Sequence, residues 1–125
     1  MIGRVVLFAI GSLLTATAPA NAVELTVSSY RETSGADRLR AQDWLNGVYS
    51  GLAMANVGLR LDGREQLYCA PGMVVFNTVQ IEDILYRYAA KPEHAMKPES
   101  SIRLVLLFAM KEAFPCPRMD NRVVR

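Results

Sequence analysis

Leu67-Tyr68-Cys69-Ala70-Pro71-Gly72 opens, and Ala113-Phe114-Pro115-Cys116-Pro117 closes, the stretch whose reading decides the fold; it holds both cysteines of the chain. Between them lie a helix start at Asn77-Thr78, two helix-like apolar runs and a loop with a proline near each end. A bond between Cys69 and Cys116 closes this segment into one covalent helical hairpin against which the remainder packs. With two cysteines only one pairing exists, and in an oxidising compartment an isolated pair is usually a disulfide. Two cysteines and one histidine, with no further ligands at short spacing, do not make a zinc site, so no metal is expected.

The compartment is read from the other end of the chain. Arg4 gives a short basic region, Val5–Ala18 an apolar run, and Ala20-Asn21-Ala22 the small-x-small pattern of a signal peptidase site. That run is too short to cross a bilayer core of about 30 Å as a helix. The expectation is a signal peptide over 1–22, cleaved after Ala22, with no membrane association afterwards.

The remainder is one small domain, whose core alone gives a modest stability margin. The whole chain carries 14 basic and 12 acidic residues with the arginines scattered. Nucleic-acid binding calls for a clustered basic face, and none is present in the sequence.

Outward from the cysteines, residues 23–36 read as a flexible N-terminal lead-in, with a short strand as the alternative. Ser34 to Asp37 offers N-cap residues, and a first helix is expected from about Asp37 to Leu59, with Leu45, Val48, Leu52, Ala55 and Leu59 at helical spacing and Trp44 beside them. Gly47 and Gly51 lie four apart on one face of it. Each glycine costs up to about 1 kcal/mol against alanine in a helix, so they are read as a helix-packing or dimer contact. Residues 61–76 look irregular: Asp62-Gly63 and Pro71-Gly72 mark turns, and a small hairpin is conceivable.

Asn77 as N-cap puts Gln80 at the third helical position, completing a capping box. Val79, Ile81, Ile84, Leu85 and Tyr88 are then assigned to one apolar face, with Glu82, Asp83 and Arg87 on a charged solvent face. Pro92 stops this helix near Ala90. Pro98 is suited to begin the third helix, and the run Ser101–Phe114 is apolar on most sides, which marks a central helix. Residues 118–125 read as a mobile tail. The expected fold is therefore all-α: a small compact domain of three to four or more helices over 37–117, closed by one disulfide.

Chemistry is sparse. His94, the single histidine, would need an orienting carboxylate and a nucleophile; Glu93 and Glu99 are near in sequence but suit a solvated loop. Glu82 and Asp83 point about 100° apart on a helix, poor geometry for acid–base work. No phosphate-cradling glycine loop, HExxH or GxSxG occurs. Neither catalysis nor a cofactor is expected.

Gly47-Val48-Tyr49-x-Gly51, Cys69-Ala70-Pro71-Gly72, Thr78-Val79-Gln80, Pro92 and Phe114-Pro115-Cys116, in that order, resemble the Rap1a/Tai family of immunity proteins. The likeness spans roughly Trp44 to Pro117; the apolar Met73–Phe76 segment before the helix departs from the pattern. The resemblance implies a compact helical fold, often a homodimer, in the periplasm. It also implies a role: binding and inhibiting a peptidoglycan amidase effector delivered by a type VI secretion system. An inhibitor of this kind needs a rigid scaffold presenting a loop, and a disulfide limits the entropy lost on binding. The loop carrying Lys91, Glu93, His94, Met96, Lys97 and Glu99 is the expected partner-binding surface, with the Leu61–Tyr68 turn region as the other option. The alternative readings are a helical envelope protein without a toxin partner and an acid-stress chaperone resembling the HdeA type.

Overall fold

The computed structural model describes residues 24–72, 74–94 and 100–117. The signal peptide expected over 1–22, the tail expected from 118, and Met96, Lys97, Pro98 and Glu99 lie outside them. The described residues are helical: α1 Val27–Glu32, α2 Gly35–Leu61, α3 Thr78–Ala89 and α4 Ile102–Ala113, with a single 3-10 turn at Pro92–His94. No strand occurs among them, and the hairpin conceivable for 61–76 does not form.

The segment expected to be a flexible lead-in instead contains α1. Thr26 Oγ1 accepts from the Ser29 N–H and Ser29 Oγ accepts from the Thr26 N–H, a reciprocal capping box at the start of a very short helix. Tyr30 is fully buried, and so fixes α1 to the core. The chain before it is held as well: the Ile102 N–H donates to the Leu25 carbonyl at 3.0 Å, and Glu24 accepts from Arg103 Nε at 3.0 Å.

The 27-residue helix α2 is about 40 Å long at 1.5 Å per residue. Its buried positions are Ala41, Leu45, Tyr49 and Asn56, so the apolar stripe is rotated from the expected one. Val48 and Leu52 fall at its margin, while Trp44 and Ala55 are exposed. The helix ends in a Schellman motif: the Arg64 N–H donates to the Leu59 carbonyl and the Gly63 N–H to the Arg60 carbonyl. Gly63 takes φ +65°, which glycine adopts without a Cβ penalty.

Helix α3 starts as the sequence predicts. Asn77 Oδ1 accepts from the Gln80 N–H at 3.0 Å, and Gln80 Oε1 accepts from the Asn77 N–H at 2.9 Å. Ile81, Ile84 and Leu85 are buried. Val79, assigned to that face, is 72% exposed, because two residues at 100° each turn it away from Ile81. Helix α4 begins at Ile102, not at Pro98: Ser101 is extended, at ψ 124°, and bridges Thr26. It packs chiefly on α3 and also against α2. Ile102, Val105, Leu106, Ala109 and Met110 are buried between those two helices, but Leu104 and Phe108 remain exposed, so α4 is not covered all round by the described residues.

Leu45, Ile81, Leu85, Ile102, Val105, Leu106 and Met110 meet in one core with no solvent exposure. Burying each such side chain stabilises the fold by about 1.5–3 kcal/mol before entropy is charged against it. Cys69 and Cys116 are bonded, with Cα atoms 4.8 Å apart across 47 positions of chain. Beside the bond the Cys69 N–H donates to the Phe114 carbonyl at 2.8 Å. Phe76 stacks on Phe114 with ring centroids 5.2 Å apart and meets Tyr49 edge-on at 5.8 Å.

Candidate functional site

The turn after α3 carries Lys91, Glu93 and His94, the described members of the set that the sequence marks for partner binding, and packing fixes its geometry. The Ala90 N–H donates back to the Tyr86 carbonyl, and Pro92 then starts the 3-10 turn, closed by the His94 N–H donating to Lys91 O at 3.0 Å. This delivers two side chains to one carboxylate on α4. Lys91 Nζ lies 2.5 Å from Glu112 Oε1, and His94 Nε2 lies 2.5 Å from Glu112 Oε2. The His94 ring stacks on Tyr88 with centroids 4.0 Å apart and planes 13° off parallel. Glu93, between the two clamped residues, is exposed.

The electrostatics follow from contact. The Lys91 ammonium donates to Glu112 and, with His94 adding to it, holds that carboxyl below the usual carboxylate range. The same hydrogen bond raises Lys91. Both groups are partly solvated, so the pairing fixes geometry more than it adds stability. Glu112 is the residue that sequence reasoning missed. Glu93 and Glu99 are the carboxylates near His94 in sequence, whereas its partner sits 18 positions along the chain, on a helix that reads as apolar.

From this clamp a groove of about 510 Å3 runs between α3 and α4. Gln80, Asp83 and Arg87 supply a polar wall, Lys91 and Glu112 one end, and Ile84, Phe114 and their neighbours an apolar floor. Asp83 and Arg87 pair with each other along α3, in keeping with a charged solvent face. Glu82 departs from that expectation. Its side chain is 14% exposed, and its Oε1 accepts from Tyr30 Oη at 2.5 Å, Arg38 Nη2 at 2.8 Å and Gln42 Nε2 at 3.0 Å. The Arg38 guanidinium also sits over the Tyr30 ring, 4.4 Å from its centroid. Burial, then the bond to Glu82, drive the Tyr30 phenol well above its ordinary value. This cluster joins α1, α2 and α3 and is a structural joint.

Gly47 and Gly51, expected at a packing or dimer contact, face open space among the described residues. A Cβ at either position would meet nothing within 4 Å. Gly51 instead lines a shallow apolar trough with Val48 and Leu52 of α2 and Leu104 and Leu107 of α4.

A histidine held by a carboxylate is half of a catalytic arrangement. Among the described residues no hydroxyl or thiol hydrogen-bonds to His94, and both cysteines are bonded to each other. No group of three histidine, cysteine or carboxylate side chains among them could hold a metal ion. No described helix is long and apolar enough to cross a membrane. The chain matches no protein-family model, no curated protein and no solved structure.

Proposed function

We propose that the chain is a periplasmic, non-catalytic immunity protein that binds and inhibits a peptidoglycan amidase effector of a type VI secretion system. The observation that carries this reading is how the resembling segments assemble. Cys69 of the second segment is bonded to Cys116 of the last and its N–H donates to the Phe114 carbonyl, while Tyr49 of the first and Phe114 of the last both meet the Phe76 ring, immediately before the capping box of Asn77 and Gln80. Segments far apart in sequence thus form one rigid joint, which is what a shared framework requires. The disulfide is compatible with an oxidising compartment.

In this reading the turn of Lys91, Glu93 and His94, with the adjoining α3–α4 groove, meets the toxin. Its support is pre-organisation: Lys91, His94 and Glu112 are already paired or stacked, so little rotamer entropy remains to be lost on binding. The homodimer belongs to the same proposal. The open face over Gly51 adjoins Val48, Leu52, exposed Leu104 and Leu107 in the shallow trough, apolar surface that a second copy would cover.

The test is titration of the purified chain into a peptidoglycan-release assay with an amidase encoded beside it. Stoichiometric inhibition that weakens at least tenfold in Lys91→Glu/Glu93→Lys supports the reading. Full amidase activity at excess chain refutes the function, and inhibition unaffected by the charge reversals removes this surface from it.

A further inference from the structure

A second cleft, of about 460 Å3, opens between the C-terminal half of α2 and the irregular chain from Gln66 to Val75. Its volume is within the range of small-molecule sites, about 300–1,000 Å3. Ala53, Met54 and Val57 of α2 form one wall, and Ala70, Val74 and Val75 form the other. The rim exposes apolar side chains: Met54 is 69% and Val75 86% exposed.

Three devices hold the cleft open in advance. Asn56, 6% exposed, donates through Nδ2 to the Tyr68 carbonyl and accepts through Oδ1 from the Leu67 N–H, each at 2.7 Å. Tyr49 Oη donates to the Val74 carbonyl at 3.3 Å. Cys69, on the lining, is tied to Cys116. The cleft is therefore part of the fold and costs little to form when a ligand arrives.

The lining also carries polar side chains, Tyr49, Ser50, Asn56 and Arg60 from α2 and Gln66 and Tyr68 from the facing chain, but among the described residues one charge. Arg60, in the last turn of α2, is the only charged side chain on the lining, and it makes no ion pair among the described residues. Tyr68 lines the cleft at 3% exposure, and its hydroxyl makes no hydrogen bond among the described residues. Burial raises that phenol to about 12, so it remains a neutral donor. A largely apolar trough with one guanidinium, unpaired among the described residues, is complementary to a molecule with an apolar tail and an anionic head.

We infer that this cleft binds a single-chain fatty-acid carboxylate, its tail between α2 and the wall of Ala70, Val74 and Val75 and its head on Arg60. The binding is independent of the proposed inhibitor role, because the lining of this cleft shares no residue with the α3–α4 groove and includes none of Lys91, His94 or Glu112.

The test is calorimetric titration of the full mature chain with laurate below its micelle concentration, and with dodecanol as the uncharged analogue. The expected result is saturable one-site binding of laurate, weakened about three- to fivefold in Arg60→Gln, as for a partly exposed ion pair. Dodecanol binds the parent and Arg60→Gln alike, and Ala53→Phe, which fills the cleft, weakens both ligands. Arg60 is exposed, so Arg60→Gln keeps its fold and the inference stays testable if Ala53→Phe does not. Absence of saturable laurate binding, laurate affinity indifferent to Arg60→Gln, or binding to anionic vesicles but not to monomeric laurate each overturns it.

Discussion

Asn56→Ala tests how the irregular segment is held. Asn56 is the one buried polar side chain in the core among the described residues, and it satisfies two backbone groups of residues 67 and 68 at 2.7 Å each. Truncation strands the Leu67 N–H and the Tyr68 carbonyl where water has little access. A buried unsatisfied group costs about 1–3 kcal/mol, so two partly shielded ones should cost about 2–4 kcal/mol in all. For a domain of this size that lowers Tm by about 10–20 °C. Urea and thermal denaturation followed by far-ultraviolet circular dichroism, with the disulfide intact, measure it. Asn56→Asp separates the two bonds, since a carboxylate still accepts from Leu67 but cannot donate to Tyr68, and it should also destabilise. A loss below about 0.5 kcal/mol in Asn56→Ala refutes the reasoning, because it means that water already serves both backbone groups.

Reducing Cys69–Cys116 should cost about 4 kcal/mol in the chain-entropy account of a loop this long, read as a drop in denaturation midpoint; an unchanged midpoint contradicts it. Glu82→Ala strands the buried Tyr30 hydroxyl and takes the carboxylate partner from the part-exposed Arg38, and should lower stability by about 1–3 kcal/mol in the same assay. The Glu112 carboxyl is held low by Lys91, so the stability it contributes is complete above its ordinary 4.5 and is lost as pH falls through its lowered folded-state value. Lys91 is raised, so its share is present below its ordinary 10.5 and fades as pH rises past its folded-state value. The stability gap between the parent and Glu112→Gln should therefore be widest between those limits and close in acid; a gap that persists in strong acid contradicts the pairing.

The parts of the fold that were legible in the sequence are those set by neighbouring residues. Asn77 and Gln80 cap each other three positions apart, Pro92 ends α3 nearby, and two cysteines leave one pairing. Helix α1 escaped because six residues are too few for periodicity, and its capping box uses Ser29 where glutamate or glutamine is the usual signal. Glu82 looked solvated because its three donors come from 40 to 52 positions away. The same holds for the candidate site. Lys91, Glu93 and His94 are recognisable as a loop, but their common anchor Glu112 arrives only when α4 packs on α3. The 460 Å3 cleft has no local signature, since Asn56 and Tyr49 create it by reaching across to a segment that has no periodicity of its own.

The most direct measurement is affinity capture with tagged mature chain from toxin-producing cells, followed by mass spectrometry and a peptidoglycan-cleavage assay on the complex. The account predicts a stoichiometric amidase that is inactive while bound and regains activity on release. Recovery of the chain alone, or of many unrelated proteins in acid only, contradicts the immunity role and leaves an envelope protein or a chaperone in its place.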